Sequence, residues 1–404
     1  MVDCYEEPHM LSNKRGPYGF YPMRLGQTLM DGKFEVIRKL GYGKWASVWL
    51  AKERMNDGTR YVAIKVLSTN ATTAEIVKKL HEVEICMRIM SNSRLASEAE
   101  HPGQRYSASP LRVFKETSRH GTHYCIVLPL CGTSLVNFMG EQPVYRLPHP
   151  VMKRVTQQVL LSLTFLHDVQ KVVHCDVKAG NVVVKLRATQ GEIDSFLRDN
   201  PAQSYEPQLY PELSADPIIT VKSQPLPPLG VSPSMDNLSI RLVDYGSAFP
   251  VEKITSDALL TTPPAILPPE MLLGHPWSFP VDIWAVGCML VHGLTGANLF
   301  IDSDIERYSQ EMHLVRIAEL LGAFPADFLQ RCSSREQLFD RLAQSLRETG
   351  PSLETWLTSF DWVRREMSSQ DIAAIARFLR RCFTIDPQRR PTASELLQDE
   401  WFRS

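Results

Sequence analysis

Apolar and polar positions alternate from Phe34 onward. Phe34, Val36, Arg38 and Leu40 keep a period of two, and Val48 and Leu50 resume it beyond a glycine turn. That period belongs to a half-buried strand, and two such runs around glycines predict a hairpin. Residues 61–67 predict a third strand, a helix follows to about residue 91, and residues 122–128 predict a further strand. From Pro150 the period changes. Val151, Val155, Val159, Leu163 and Leu166 recur at helical spacing, and helices are predicted again from Pro280 to the end, with breaks at residues 302–307 and 350–352. A sheet-rich first part and a helical second part make an α+β fold of two lobes. No internal repeat is visible.

Two stretches fall outside this rhythm. Residues 1–33 hold Gly16, Pro17, Gly19, Pro22, Gly26 and Gly32 and few periodic apolar positions, which predicts an extended arm laid on a domain or disordered in part. Pro201, Pro207, Pro211, Pro217, Pro225, Pro227, Pro228 and Pro233 crowd a later segment. Their missing N–H groups exclude a helix or a central strand there. Within that segment, SQPLPPLG favours polyproline II. The plain reading is a surface excursion between two strands. The sharper one is a spacer that binds a partner or regulates, for which the unusual length speaks.

Composition narrows the classes. The 404 residues and 44% apolar content suffice for two packed lobes. Forty-four basic against 45 acidic residues give a net charge of −1, so no basic excess points to nucleic acid. The eight cysteines form no C-x-x-C pair, against zinc and disulfide frameworks and in favour of a reducing cytoplasmic or nuclear compartment. The start, MVDCYEEPHM, has no signal-like apolar stretch, and the apolar run at 283–291 is far short of a bilayer span, so no membrane partner is expected.

The chemistry concentrates in VVHCDVKAGNVVV, which holds His174, Asp176, Lys178 and Asn181 between two apolar runs. An aspartate there can meet an attacking hydroxyl, a lysine can neutralise charge on a transferred phosphoryl, and an asparagine can hold magnesium. Other segments join it. In LGYGKWASV, Gly41 and Gly43 let backbone N–H groups approach phosphate oxygens, with Leu40 before them and Val48 as an apolar roof; Ala46 takes the place of a third glycine. A dinucleotide-binding turn would need a helix next, whereas SVWLAKE continues as strand. On the strand YVAIK, Val62, Ile64 and Val66 share one face, while Tyr61, Ala63 and Lys65 share the other. Ala63 leaves room for a flat base, and Lys65 can reach phosphates. Lys65 needs a carboxylate. From Glu82, the helical neighbours are Ile85, Cys86 and Ile89; from Glu84 they are Met87, Arg88 and Ser91, so Glu82 is the buried choice. Asp244 ends a strand ahead of Tyr245-Gly246 and offers magnesium a hard oxygen donor. Glu270, Asp282 and Arg390 are structural candidates: Glu270 with Arg390 as a buried ion pair, Asp282 as an acceptor of N–H bonds from the 174–181 loop.

This ordered set resembles the eukaryotic protein kinase family over residues 34–402. The resemblance implies a two-lobed fold, with an N-lobe at 34–131, a C-lobe at 132–404, a proline-rich spacer at about 191–238, and ATP in the cleft. It implies that Lys65 holds the α- and β-phosphates and pairs with Glu82, that Asp176 orients or accepts the hydroxyl proton, and that Lys178 touches the γ-phosphate. It further implies that Asn181 and Asp244 hold Mg²⁺, and that Leu40, Gly41, Gly43, Val48, Ala63, Leu130 and Val183 line the ATP site. YPMRLGQ, RKLGYGKWASVWLA, LVDYGSA and the position of the spacer are similar to the SR-protein kinases, fungal-type members in particular. That implies serine in arginine/serine-rich protein as substrate, a link to mRNA splicing regulation, and a monomer without direct nucleic-acid contact.

Three departures stand out. Cys175 sits where many kinases carry an arginine that grips a phosphate on the activation segment, which implies activity without loop phosphorylation. Leu267 sits where arginine is expected before Pro268-Pro269-Glu270. In the acidic docking groove Glu319 matches one acid, Met312 replaces another, and Glu311 is a nearby substitute. The rival from another class is a pseudokinase, a binding module that keeps the shape without phosphotransfer. A small-molecule phosphotransferase is the third reading, and it lacks an obvious need for Glu270, Asp282 and Arg390.

Overall fold

The computed structural model describes residues 7, 19–95, 101–209, 215–255, 258, 262–301, 308–335 and 350–403. The break expected at 302–307, most of the arm before residue 19, and Cys4 and Pro211 lie outside the described residues. The expected α+β architecture is present, as two compact units. The described residues up to 95, within 108–133 and within 184–237 form the first; the remainder form the second.

The first unit is built on an antiparallel sheet of six strands: β1 (Thr28–Leu29), β2 (Phe34–Tyr42), β3 (Ala46–Met55), β4 (Gly58–Leu67), β5 (Arg112–Ser118) and β6 (Gly121–Pro129), in the order β1-β2-β3-β4-β6-β5. The alternation read from the sequence holds at Phe34 and Val36 and is then broken in β2 by register shifts between Val36 and Arg38 and between Lys39 and Gly41. Gly41 lies opposite Val48, Val48 opposite Lys65, and Ala63 opposite Leu50 on one side and Leu128 on the other. Phe34, Val36, Trp49, Val62, Ile64 and Val127 close one face of the sheet into a core. β5 was not expected. As an edge strand its residues are only partly buried, so it carries no clear apolar period. The single helix expected to about residue 91 is two, α1 (Thr69–Ile76) and α2 (Glu82–Leu95), separated by a turn in which Lys78 takes a φ of 61°.

Both stretches outside the sequence rhythm pack onto this sheet. Tyr21 and Met23 of the arm and Val221 of the insert belong to the same core cluster, so described residues of the arm lie along the sheet as expected. Sequence order would put the insert inside the second part of the chain, yet it packs with the first unit. Its helix α5 (Gln190–Asp199) starts with a Thr189/Glu192 capping box, and Asp194 accepts a bond from Tyr61 Oη at 2.6 Å. Ser223 pairs in parallel with Lys39 of β2, Gln224 donates to the Lys39 carbonyl at 2.9 Å, and Leu226 is buried. The polyproline-like segment therefore rests on its own domain.

The second unit is mainly helical. α3 (Leu135–Gly140) precedes α4 (His149–Thr164), which buries Val151, Val155, Val159 and Leu163 as the spacing requires. After it come β7 (Val172–Val173), the loop 174–181, β8 (Val182–Val184), β9 (Ile240–Leu242) and β10 (Phe249–Pro250). Two small sheets, β10 with β7 and β8 with β9, hold that loop at its ends. α6 (Pro269–Leu272) leads into α7 (Pro280–Thr295), whose apolar residues are buried nearly all round, and then α8 (Gln310–Leu321). No helix among the described residues is long and apolar enough to cross a membrane.

The expected Glu270–Arg390 pair is present and wholly buried. Two bonds of 2.7 and 2.9 Å join them, and Arg390 also donates to the Pro280 carbonyl and lies over the Trp284 ring. Removing one partner strands a charge in an apolar interior. Glu270→Ala is expected to lower the unfolding free energy by about 3–5 kcal/mol, and the Glu270→Met/Arg390→Met double variant by much less, as read by chemical denaturation.

Candidate active site

The first unit holds a cation in a fixed position. β4 sends Val62, Ile64 and Val66 into the core and so turns Ala63 and Lys65 to the opposite face. Lys65 Nζ donates to both carboxylate oxygens of Glu82, at 2.6 and 2.8 Å. Glu82 opens α2 and is buried; Glu84, more exposed, pairs with Lys78 and Arg88. The choice of Glu82 over Glu84 therefore agrees with the geometry. Leu40, Val48 and Leu130 are half-buried apolar side chains in this unit, and Ala63 is buried.

Gly41 and Gly43 give a further clue. A Cβ added to either meets no atom within 4 Å, and neither has a positive φ. Neither packing nor backbone conformation demands glycine there. What glycine leaves is room above the strand pair, as an approaching phosphate requires.

The second unit holds the loop 174–181, anchored by a buried carboxylate. Asp282, fully buried at the start of α7, accepts the backbone N–H of His174 at 2.7 Å and of Cys175 at 2.8 Å, as expected. It also bonds His167 Nε2 at 2.9 Å. The His174 ring ties the loop to the Asp244 segment: Nδ1 accepts the Asp176 N–H at 3.3 Å and Nε2 donates to the Val243 carbonyl at 3.1 Å. The roles of His167 and His174 were not foreseen. A histidine at the end of the apolar run LLSLTFLH must find a buried partner, and that was the available signal.

Within the loop, Asp176 is held asymmetrically. Its Oδ2 accepts from Lys178 Nζ at 2.8 Å and Asn181 Nδ2 at 2.7 Å. Its Oδ1 is buried and has no hydrogen-bond partner among the described residues. Because Asn181 must turn its nitrogen to that carboxylate, its amide oxygen is the atom left for a cation. The Val243 N–H donates to the Asn181 carbonyl at 2.9 Å, which brings Asp244 close in the fold to Asn181. An amide oxygen and a carboxylate are hard donors of the kind magnesium takes. Asp244 has a φ of 71° and Cys175 a φ of 64°, strained values for non-glycine residues and typical of sites where geometry is over-determined. Val183, on β8, is half-buried.

Cys175 sits in an apolar nest. Val173 and Val281 pack with it, and Phe249, Ile254, Met271 and Trp277 close round them. Burial drives its thiol well above the ordinary range, so it is neutral. Thr262 Oγ1 donates to the Cys175 carbonyl at 3.0 Å and pins the segment ahead of α6 to the loop. Leu267 is half-buried. On α8, Met312 is exposed and Glu319 is paired with Arg316 at 3.2 Å.

The sequence profile of the protein kinase domain matches residues 34–196 and 231–402, leaving most of the proline-rich insert unmatched. Among curated proteins, the serine/threonine-protein kinase SRPK of Physarum polycephalum is 25% identical, over 94% of this chain and 88% of that protein. Protein kinase dsk1 of Schizosaccharomyces pombe is 24% identical, over 95% and 83%. SRSF protein kinase 3 of Mus musculus is 22% identical, over 95% and 88%.

If Asp282 fixes the loop, Asp282→Ala leaves two buried N–H donors without an acceptor. With roughly 3 kcal/mol lost for charge-assisted bonds, amide exchange at His174 and Cys175 is expected to quicken by about a hundredfold or more in hydrogen-exchange measurements.

Proposed function

We infer that this chain, which belongs to the protein kinase family and is SR-protein-kinase-like within it, moves the γ-phosphoryl group of ATP to serine hydroxyls of protein substrates. The observation that carries the reading is the Asp176 carboxylate. One oxygen is tied down by Lys178 and Asn181, and the other is a buried acceptor with no donor among the described residues. An unmet buried acceptor costs about 1–3 kcal/mol, and a substrate hydroxyl would relieve that cost where the proton must leave.

The remaining roles follow from charge. Lys65, fixed by Glu82, binds the α- and β-phosphates. Gly41 and Gly43 admit the phosphates, while Leu40, Val48, Ala63, Leu130 and Val183 receive the base. Lys178 bears on the γ-phosphate as it is transferred. Asn181 and Asp244 would hold Mg²⁺, which neutralises phosphate charge when bound. Most of the rate then comes from positioning and charge stabilisation. The functional lobes are residues 34–131 and, apart from the insert that packs with the first unit, 132–404.

For the substrate, we favour arginine/serine-rich segments, in line with the names of the SR-protein kinase relatives. Glu311 and Glu319 are the acids available on α8, although Arg316 already occupies Glu319. Among the described residues, the cluster packed around Cys175 is apolar, and Thr262 bonds the Cys175 carbonyl, which supports activity without loop phosphorylation. The enzyme is then active as synthesised, a monomer in the cytoplasm or nucleus, with no direct nucleic-acid contact.

A peptide array with radiolabelled ATP tests activity and preference together. Asp176→Asn is expected to lower turnover by about 10²–10⁴, and unchanged turnover would remove Asp176 from its role. Phosphatase treatment is expected to leave the rate intact, and a collapse would show that loop phosphate is required. Arg316→Ala, by releasing Glu319, is expected to tighten binding of an arginine-rich peptide by up to about fivefold in a titration, the scale of one exposed ion pair.

A further inference from the structure

The start of α2 is held by a residue of another helix. The first N–H groups of a helix have no intrahelical acceptor. A Ser, Thr, Asp or Asn just ahead usually supplies one, but here Leu80 and His81 precede Glu82. The acceptor comes from the preceding helix. Glu75, buried near the end of α1, receives the Glu82 N–H on Oε1 at 2.7 Å and the Val83 N–H on Oε2 at 3.2 Å. Glu82 is thus gripped twice, its backbone by Glu75 and its carboxylate by Lys65.

We propose that Glu75 is a positioning residue for phosphoryl transfer: it sets where α2 begins and thereby holds Glu82 against Lys65. The proposal rests on the kinase reading above and adds a residue that touches neither nucleotide nor substrate. Losing a helix cap costs a factor of roughly 2 to 30 in the population of the capped start, so a similar loss in kcat/KM for ATP is expected on its removal.

The geometry brings a pH dependence with it. Glu75 is faced by Glu82 from α2 and Lys65 from β4, with Lys78 and His81 in the turn between the helices. Desolvation first, and then the Glu82 charge, push the Glu75 carboxyl up to about 7, against the two N–H bonds and Lys65, which lower it. Below that pH the neutral acid is a poorer acceptor for two N–H groups; above it the carboxylate grips both. The helix start therefore tightens as pH rises through about 7. Stability runs the other way. An acid whose folded pKa is raised stabilises the fold below its unfolded value, and that contribution is lost as pH rises through the folded value. Ionised Glu75 holds α2 more tightly while reducing the stability of the fold.

The test compares wild type, Glu75→Gln and Glu75→Ala, with His81→Gln as control for the histidine in the turn between the helices. Glu75→Gln is expected to match wild type at pH 6 and to trail it at pH 8 in kcat/KM for ATP. Its melting temperature relative to wild type is expected to rise over the same interval. Glu75→Ala is expected to trail at both pH values, with faster amide exchange at Glu82 and Val83. His81→Gln is expected to keep the wild-type profile. A Glu75→Gln profile that follows wild type at every pH, with unchanged exchange at Glu82 and Val83, overturns the proposal. Wild type without phosphotransfer overturns the kinase reading instead, while the exchange measurement still decides whether Glu75 caps α2.

Discussion

The second unit's chemistry depends on one buried charge. Asp282 has no solvent to neutralise it, so it must be met by donors, and the donors it finds are the N–H groups of His174 and Cys175 with the ring of His167. Those bonds balance the left-handed backbone at Cys175, a conformation that costs about 1–3 kcal/mol for a side chain other than glycine. With that residue fixed, the next, Asp176, has little freedom left. Lys178 and Asn181 then fix one of its oxygens, and the other is left a buried acceptor with no donor among the described residues. The chain of constraint runs from a buried acid on α7 to a carboxylate on a loop more than a hundred residues earlier.

Much of this was legible because side chains with paired needs stand in patterned sequence. Lys65 lies on a strand whose alternation fixes its face, and Glu82 lies on a helix whose apolar neighbours distinguish it from Glu84. Glu270, Arg390 and Asp282 were legible for the same reason: charges inside apolar runs must find one another or find backbone donors. What stayed hidden involved partners without a sequence signature. Glu75 bonds to backbone N–H groups, which every residue has, across a helix break that the apolar period does not show. β5 shows little burial contrast, and the insert meets β2 through an isolated bridge at Lys39 rather than a ladder. The apolar packing around Cys175 was likewise unreadable, since Phe249, Met271 and Trp277 reach it from far along the chain.

The two segments that seemed peripheral share a task. The sheet of the first unit has one face committed to Lys65 and Ala63, and its other face is apolar. Tyr21 and Met23 from one side of the sequence and Val221 from the other contribute to covering that apolar face. An exposed apolar sheet face invites association, so arm and insert are part of the fold's solubility as well as its support. Lys39, buried, shows how close this comes to the glycine turn: its side chain pairs with Glu7 of the arm and its carbonyl accepts from Gln224 of the insert.

The open space above Gly41 and Gly43 bears on how mutational surveys of this protein would read. Alanine at either position meets no neighbour and needs no unusual backbone angle, and it would restrict the unfolded chain. A survey scored by protein abundance would therefore rate such changes as harmless or beneficial. Their harm would surface only where turnover is the trait under selection, so disagreement between the two scores would itself mark the turn as a place shaped for a ligand.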